Sequence, residues 1–84
     1  MTGESPLVAL AYVTRRRVFE RLKSGPMSVG RLAQGMGVSR PAVSQHLKIL
    51  KEAGLVREHR EGRKHLYEID PEGLGALQRW LDQF

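Results

Sequence analysis

The stretch "GVSRPAVSQHLKILKEAG", which runs from Gly37 to Gly54, constrains the fold of this chain more than any other. Its apolar residues recur at helical spacing and share one face: Val43, Leu47 and Leu50. Ser39 is placed to cap this helix, and Pro41 falls in the first turn, where the missing N–H of proline costs nothing. Gly54 stands where helices commonly stop. The pattern therefore predicts an amphipathic helix that runs to Ala53 and buries one face.

The opposite face of this helix carries long or hydrogen-bonding side chains: Arg40, Pro41, Ser44, Gln45, Lys48 and Lys51. A face that only meets solvent usually mixes Glu and Lys at i,i+4 spacing, whereas the first two turns here contain no acid. In the major groove of DNA, Arg can bond guanine and Gln can bond adenine through paired hydrogen bonds. We therefore predict a set that contacts base edges: Arg40, Pro41, Ser44 and Gln45.

Two nearby residues allow alternative interpretations. His46 lies on the shoulder of the buried face, so we expect a packed histidine, hydrogen-bonded to the neighbouring helix, ahead of a direct base contact. Arg31 is the third residue after Ser28, which caps the preceding helix, and it places a cation at a positive helix end. Either Arg31 faces a DNA phosphate or it is a tolerated surface arginine.

The flanking segments contain further helix and turn signals. Ser28 caps the segment "VGRLAQGM", and Gly37 is placed to adopt a left-handed turn conformation. Thr14 predicts the N-cap of an earlier helix over "RRRVFERLK". Pro71 begins a last helix that is expected to reach Phe84.

Two short extended segments, "LVREHR" and "KHLYEI", flank "EGR" after Gly54 and predict a hairpin with Gly62 in its turn. The residues expected to point inward are Val56, Leu66 and Ile69. Basic residues cluster near the tip, where they would contact phosphates or the adjacent minor groove. Including the helices, the predicted backbone-contacting set is Arg31, Ser39, Lys48, Arg60, Arg63 and Lys64, with His59 and His65 as further candidates.

Together these elements predict a mainly α fold with a small β-hairpin (α+β), arranged as a winged helix-turn-helix. Four helices, a two-stranded wing and a C-terminal dimerisation helix would form one domain over residues 1–84. Its predicted parts are a disordered start at 1–6, a helix-turn-helix at 28–53, a wing at 55–70 and a final helix at 71–84.

Composition supports a small basic domain. The chain has 84 residues, a formal net charge of +5 and no cysteine. The positive charge favours a polyanionic partner, and the lack of cysteine fits the cytoplasm. No apolar run approaches the roughly 18 residues of a membrane span, so no membrane association is expected.

The size of the chain makes dimerisation a plausible source of additional core. Apolar residues near both ends are hard to bury in so small a monomer and predict packing across a two-fold axis. The predicted interface comprises Leu7, Val8, Leu10, Ala11, Leu74, Leu77, Trp80, Leu81 and Phe84. Trp80 and Phe84 could alternatively line a ligand pocket, but aromatic residues at helical spacing more often pack.

Catalysis is not expected, because the serines lack a His/Asp arrangement and no phosphate-binding loop or zinc-protease motif occurs. A metal site is not expected either. His59 and His65 could face each other across the hairpin, but two surface histidines make a weak site. No cofactor is implied.

The motifs "SRPAVSQHLKILKEAGLV" and "REGRKHLYEID" resemble the winged helix-turn-helix repressors of the ArsR/SmtB family, and the likeness extends over about Thr14 to Phe84. The resemblance implies a bacterial homodimer, joined through its first and last helices, that binds a roughly palindromic operator on double-stranded DNA and often represses its own operon. The family's DNA-reading positions match Arg40, Pro41, Ser44 and Gln45.

This sequence departs from the family pattern in two ways. Metal-sensing members carry Cys pairs before the turn or Asp/His/Glu sets in the last helix, whereas this chain reads "SVGRLAQGM" and "PEGLGALQRWLDQF" there. Metal sensing is therefore not carried over. Tyr12-Val13 replaces a common Asp-Pro, which predicts a more continuous junction between the first two helices. The remaining alternatives are a winged-helix module that binds proteins and not DNA, and a DNA-binding regulator controlled by an organic ligand or a partner protein.

Overall fold

The computed structural model describes residues 5–84 and confirms a winged helix-turn-helix. Within that range five α-helices, one short 3-10 helix and one two-stranded hairpin follow each other along the chain. The helices are α1 (Pro6–Ala11), α2 (Val13–Arg21), α3 (Val29–Ala33), α4 (Arg40–Glu52) and α5 (Pro71–Leu81), and the 3-10 helix is Leu22–Ser24. The strands are β1 (Val56–Glu61) and β2 (Lys64–Ile69). No helix among these is long and apolar enough to cross a membrane.

The predicted disorder over residues 1–6 is wrong at its C-terminal end. Ser5 caps α1 by accepting a hydrogen bond from the N–H of Leu7 at 3.3 Å, and Pro6 is the first helical residue. Proline suits that position because its fixed φ matches the helix. The rest of the predicted segment lies outside the described residues.

The core is apolar throughout the described range and is formed mainly by α2, α3, α4 and the start of the wing. The three residues predicted to form the inner face of α4, Val43, Leu47 and Leu50, are fully buried. They pack in one cluster with Ala9, Val18, Leu22, Leu32, Met36, Leu55 and Val56. Because this cluster holds the inner face of α4, the opposite face is turned outward.

Serine caps fix the starts of both helices of the helix-turn-helix, as predicted. The hydroxyl of Ser28 accepts from the N–H of Arg31 at 3.1 Å, and that of Ser39 accepts from the N–H of Ala42 at 3.2 Å. Gly37 has a φ of 72°, in the left-handed region that glycine adopts without strain. The turn between α3 and α4 is therefore set by residues that the sequence identifies.

The junction of α1 and α2 differs from two sequence predictions, a more continuous junction and an N-cap at Thr14. Tyr12 is extended, with φ −79° and ψ 114°, and separates the two helices, so the junction is not continuous. Tyr12 is also the N-cap of α2, which leaves Thr14 inside the helix. The guanidinium of Arg15 donates to the carbonyl of Ala9 at 3.4 Å, and that of Arg16 donates to the carbonyl of Leu10 at 3.0 Å. These bonds satisfy the open end of α1 and stabilise the break.

The hairpin places Tyr67 inward, and the prediction of Leu66 there is wrong. Val56 pairs with Ile69, and Glu58 pairs with Tyr67. Because side chains alternate along a strand, Tyr67 shares a face with Ile69 and Leu66 does not. Tyr67 also forms two backbone hydrogen bonds with Met27, at 2.8 and 2.9 Å, which attach the wing to the loop before α3.

The last helix lies close to the turn that precedes β1. Asp70 caps α5 by accepting from the N–H of Glu72 at 3.0 Å. A Cβ atom on Gly73 would lie 1.7 Å from the carbonyl oxygen of Gly54, so only glycine fits at this approach. The helix ends at Leu81 and not at the predicted Phe84, since the last residues form a turn in which the N–H of Phe84 bonds the carbonyl of Leu81.

Candidate nucleic-acid interface

The outward face of α4 presents all four residues predicted to contact bases. Arg40, Pro41, Ser44 and Gln45 are exposed, and Lys48 continues the same surface one turn later. The burial pattern of the helix thus follows the sequence prediction at both faces. A helix held by its inner face, with hydrogen-bonding side chains on its outer face, has the geometry needed to enter a major groove.

The predicted backbone-contacting cations lie on α3, on α4 and in the wing, and their charges are not paired within residues 5–84. All of them are exposed, and none forms an ion pair with another residue of 5–84. They are Arg31 on α3, Lys48 on α4, Arg60 and Lys64 on the strands, and Arg63 in the hairpin turn. The Ser39 hydroxyl is engaged as the N-cap of α4.

An open cleft brings two of these cations together. It has a volume of about 580 Å³ and lies between the start of α3 and the wing. Arg31, Lys64 and His65 are among its lining residues. No pattern in the sequence indicates this cleft, because the cleft depends on how the wing packs against the loop before α3.

Glu58 links the wing to the end of α4, a role that the sequence prediction missed. Its carboxylate forms an ion pair with Lys51 and lies 2.6 Å from Nε2 of His65. Hydrogen bonds from Lys51 and then His65 hold the pKa of the Glu58 carboxyl below its usual range. Lys51 therefore serves the contact between α4 and β1, although it lies on the polar side of the helix.

Comparison with known proteins identifies the family of this arrangement. Residues 13–59 match the family model described as a helix-turn-helix domain. The transcriptional regulator Rv2034 of Mycobacterium tuberculosis is 55% identical over 90% of this chain and 71% of its own length. The transcriptional repressor SdpR of Bacillus subtilis is 34% identical over 90% of this chain and 84% of its own length.

Solved structures that are similar to this chain are also those of transcriptional regulators. A crystal structure of a possible transcriptional regulator for arsenical resistance superposes with a TM-score of 0.85 at 43% identity, over 96% of this chain and 84% of that one. The homodimeric winged helix-turn-helix DNA-binding domain of a possible ArsR-family regulator from Mycobacterium bovis gives a TM-score of 0.76 at 30% identity, over 92% of this chain and 71% of that one. This chain belongs to the ArsR/SmtB family. The family consists of transcriptional regulators and not enzymes, which confirms that no catalytic function is to be assigned.

In this ArsR/SmtB protein, His46 packs beside the junction of α1 and α2. Its ring centroid lies 5.8 Å from that of Tyr12, and the guanidinium of Arg15 lies 5.0 Å from the same tyrosine ring. Burial, and secondarily the charge of Arg15, lowers the pKa of His46. The expected hydrogen bond to the neighbouring helix is not made by Nδ1, which is buried without a partner among the described residues. The His46 ring packs against Tyr12 instead of forming this hydrogen bond.

Potential metal ligands do not form a cluster in the part of the chain that the structure describes. No three His, Asp or Glu side chains come together there. The suggested pairing of His59 with His65 across the hairpin is wrong, because His59 pairs with Leu66 and His65 with Arg60. Adjacent pairs of an antiparallel ladder point to opposite faces. His59 and His65 therefore lie on opposite faces of the hairpin.

The predicted dimer residues fall into two groups. Leu10 is half-buried and packs against the protein's own core, and Leu77 is also half-buried. Phe84 is 91% exposed and stacks edge-on against Trp80, with ring centroids 5.1 Å apart. The remaining members are exposed on α1 and α5: Leu7, Val8, Ala11, Leu74 and Leu81. An apolar cleft of about 280 Å³ between Leu7, Leu77 and Trp80 joins the two helices.

Proposed function

We propose that this protein is a homodimeric repressor of transcription that recognises specific DNA sequences with α4. The observation that carries the proposal is the two-sided burial of that helix. Its inner residues are fully buried, and Arg40, Ser44 and Gln45 are exposed together on the outer face. In this proposal the three polar side chains bond base edges, and Pro41 makes an apolar contact.

Contacts to the DNA backbone come from the cations around that face. Arg31 and Lys48 flank the recognition surface, and the wing adds Arg60, Arg63 and Lys64. The N-terminus of α4, capped by Ser39, points its N–H groups at a neighbouring phosphate. Such contacts fix the position of the protein on the duplex, and they make affinity depend on salt concentration.

A dimer through α1 and α5 follows from the apolar residues that these helices leave exposed. Large apolar surface is rarely left open on a small monomer, and a two-fold axis covers it on both copies at once. The homodimeric state of the relative from Mycobacterium bovis supports a homodimer. Two copies of α4 would then bind half-sites about 34–36 Å apart in a pseudo-palindromic operator.

The regulated target is the protein's own operon or a neighbouring one, and the repressor acts in the cytoplasm. Repression is proposed because the relative SdpR is a transcriptional repressor. The signal that releases the DNA is proposed not to be a metal, since the described residues offer no ligand cluster. Titration with divalent metals should accordingly leave DNA binding unchanged.

Selection of bound sequences from random DNA tests the proposal most directly. The expected product is a site with two inverted half-sites one helical turn apart. Gln45→Ala should relax base preference at one position of each half-site, while binding to random duplex stays the same. Binding that is absent, or that does not weaken between low and high salt, would instead favour a winged-helix module that binds proteins.

A further inference from the structure

The side chain of Arg40 lies directly on Gly30 of α3. A Cβ atom built on Gly30 would stand 2.9 Å from Nη2 of Arg40, 3.1 Å from Cζ and 3.4 Å from Nε. The guanidinium group therefore occupies the space that any other residue's Cβ would fill. Real Cβ atoms essentially never approach heavy atoms more closely than 3.0 Å, so a side chain at position 30 must displace the guanidinium.

The backbone itself does not require glycine at this position. Gly30 has helical neighbours on both sides and is absent from the glycines with positive φ, unlike Gly37 and Gly54. Glycine inside a helix is less favourable than alanine because it loses more backbone freedom on folding. The contact with the Arg40 side chain is thus the feature that an added Cβ at this position would disturb.

We infer that Gly30 is a positioning residue that forms a seat for the guanidinium of Arg40. This inference rests on the proposed function, in which Arg40 reads a base. An exposed arginine samples many rotamers and must lose that freedom when it forms a bidentate contact with a guanine edge. The seat on α3 orders the side chain before DNA arrives. Arg40 is the first residue of α4, so the seat also couples the two helices of the helix-turn-helix.

The substitution Gly30→Ala separates this role from a structural one. Alanine favours the helix, so the variant should unfold at the same temperature or higher. Its affinity for random duplex should stay unchanged, while discrimination for guanine at one position of each half-site should fall about tenfold, within the range of a lost bidentate contact. Arg40→Ala should lose discrimination at the same position.

Two further variants make the test specific. In the Arg40→Ala background, adding Gly30→Ala should change base preference no further, because the seat then has no occupant. Gly75→Ala is the matched control. Gly75 is also helical, and its added Cβ would meet Arg79 at an ordinary 3.4 Å. Its DNA preferences should equal those of the wild type.

Nuclear magnetic resonance of the free protein provides a readout without DNA. An Overhauser contact between the Gly30 α-protons and the Arg40 side chain is expected in the wild type. Its absence, or a Gly30→Ala variant that retains full base discrimination, would overturn the inference. If the wild type bound no DNA in a salt-sensitive manner, the proposed function would be wrong, and the role of Gly30 in positioning Arg40 would be wrong with it.

Discussion

The ammonium group of Lys51 on α4 pairs with the carboxylate of Glu58 on β1, and this contact joins the end of the recognition helix to the wing. Both side chains are partly exposed, and His65 on β2 approaches the other oxygen of the same carboxylate. Glu58 therefore adds a charged contact between the wing and the end of α4, beside the backbone hydrogen bonds that Tyr67 forms with Met27.

Replacing Glu58 should make the stability of the protein less dependent on acid pH. Hydrogen bonding to Lys51 lowers the pKa of Glu58, so its contribution is present above the unfolded pKa of about 4.3 and is lost as pH falls through the lower folded value. Thermal unfolding of Glu58→Gln and wild type, compared between pH 7 and 3, should show a difference that closes at the acid end. Glu61→Gln, on the same strand, is the control. A difference that persists at pH 3 would contradict an ionic contribution.

Gly73→Ala should destabilise the fold strongly, although the substitution adds only one methyl group. The added Cβ would lie 1.7 Å from the carbonyl oxygen of Gly54, and because that atom is backbone, α5 must move away from the turn before β1. Overpacking of this kind costs about 1–3 kcal/mol. Urea denaturation at fixed protein concentration measures the loss. Gly75→Ala, two residues along the same helix, should be neutral or stabilising, and equal effects of the two variants would argue against the close approach.

Protonation of His46 should oppose folding. Burial beside Tyr12 lowers its pKa, so the folded state binds this proton less well than the unfolded state does. The free energy of unfolding should therefore fall as pH drops below the unfolded value of about 6.5, and less so in His46→Gln, which does not titrate. Titration of the His46 ring protons by nuclear magnetic resonance checks the cause directly. A midpoint at or above the unfolded value would show that burial does not control this group.

The sequence was sufficient to predict the fold where local periodicity and helix capping decide the structure. The spacing of Val43, Leu47 and Leu50 predicted both faces of α4, and Ser28 and Ser39 predicted where two helices begin. Sequence prediction failed where strand register or a contact between separate elements decides the structure. Tyr67, and not Leu66, points inward because its pairing with Glu58 fixes the alternation of β2. The seat of Arg40 on Gly30 joins residues from two helices, and no pattern within either helix indicates it.

Loss of a wing cation should weaken binding to every DNA sequence equally. Arg63 lies in the exposed hairpin turn and forms no ion pair with another residue of 5–84, so its charge is available to a phosphate. Each phosphate contact contributes about 0.9 to the slope of log affinity against log salt concentration. Arg63→Ala should therefore reduce the slope by about 0.9 per protomer, with base preference unchanged.

Arg57→Ala provides the matched control for that measurement. Arg57 lies on β1 of the same hairpin, but its Nε donates to Glu68 at 2.8 Å, so its charge is already neutralised within the wing. Its removal should change the slope much less than the removal of Arg63. Affinity measured by fluorescence anisotropy on one random duplex and one selected site, over a series of salt concentrations, separates the two variants. If both changed the slope equally, net charge and not a defined phosphate contact would govern binding by the wing.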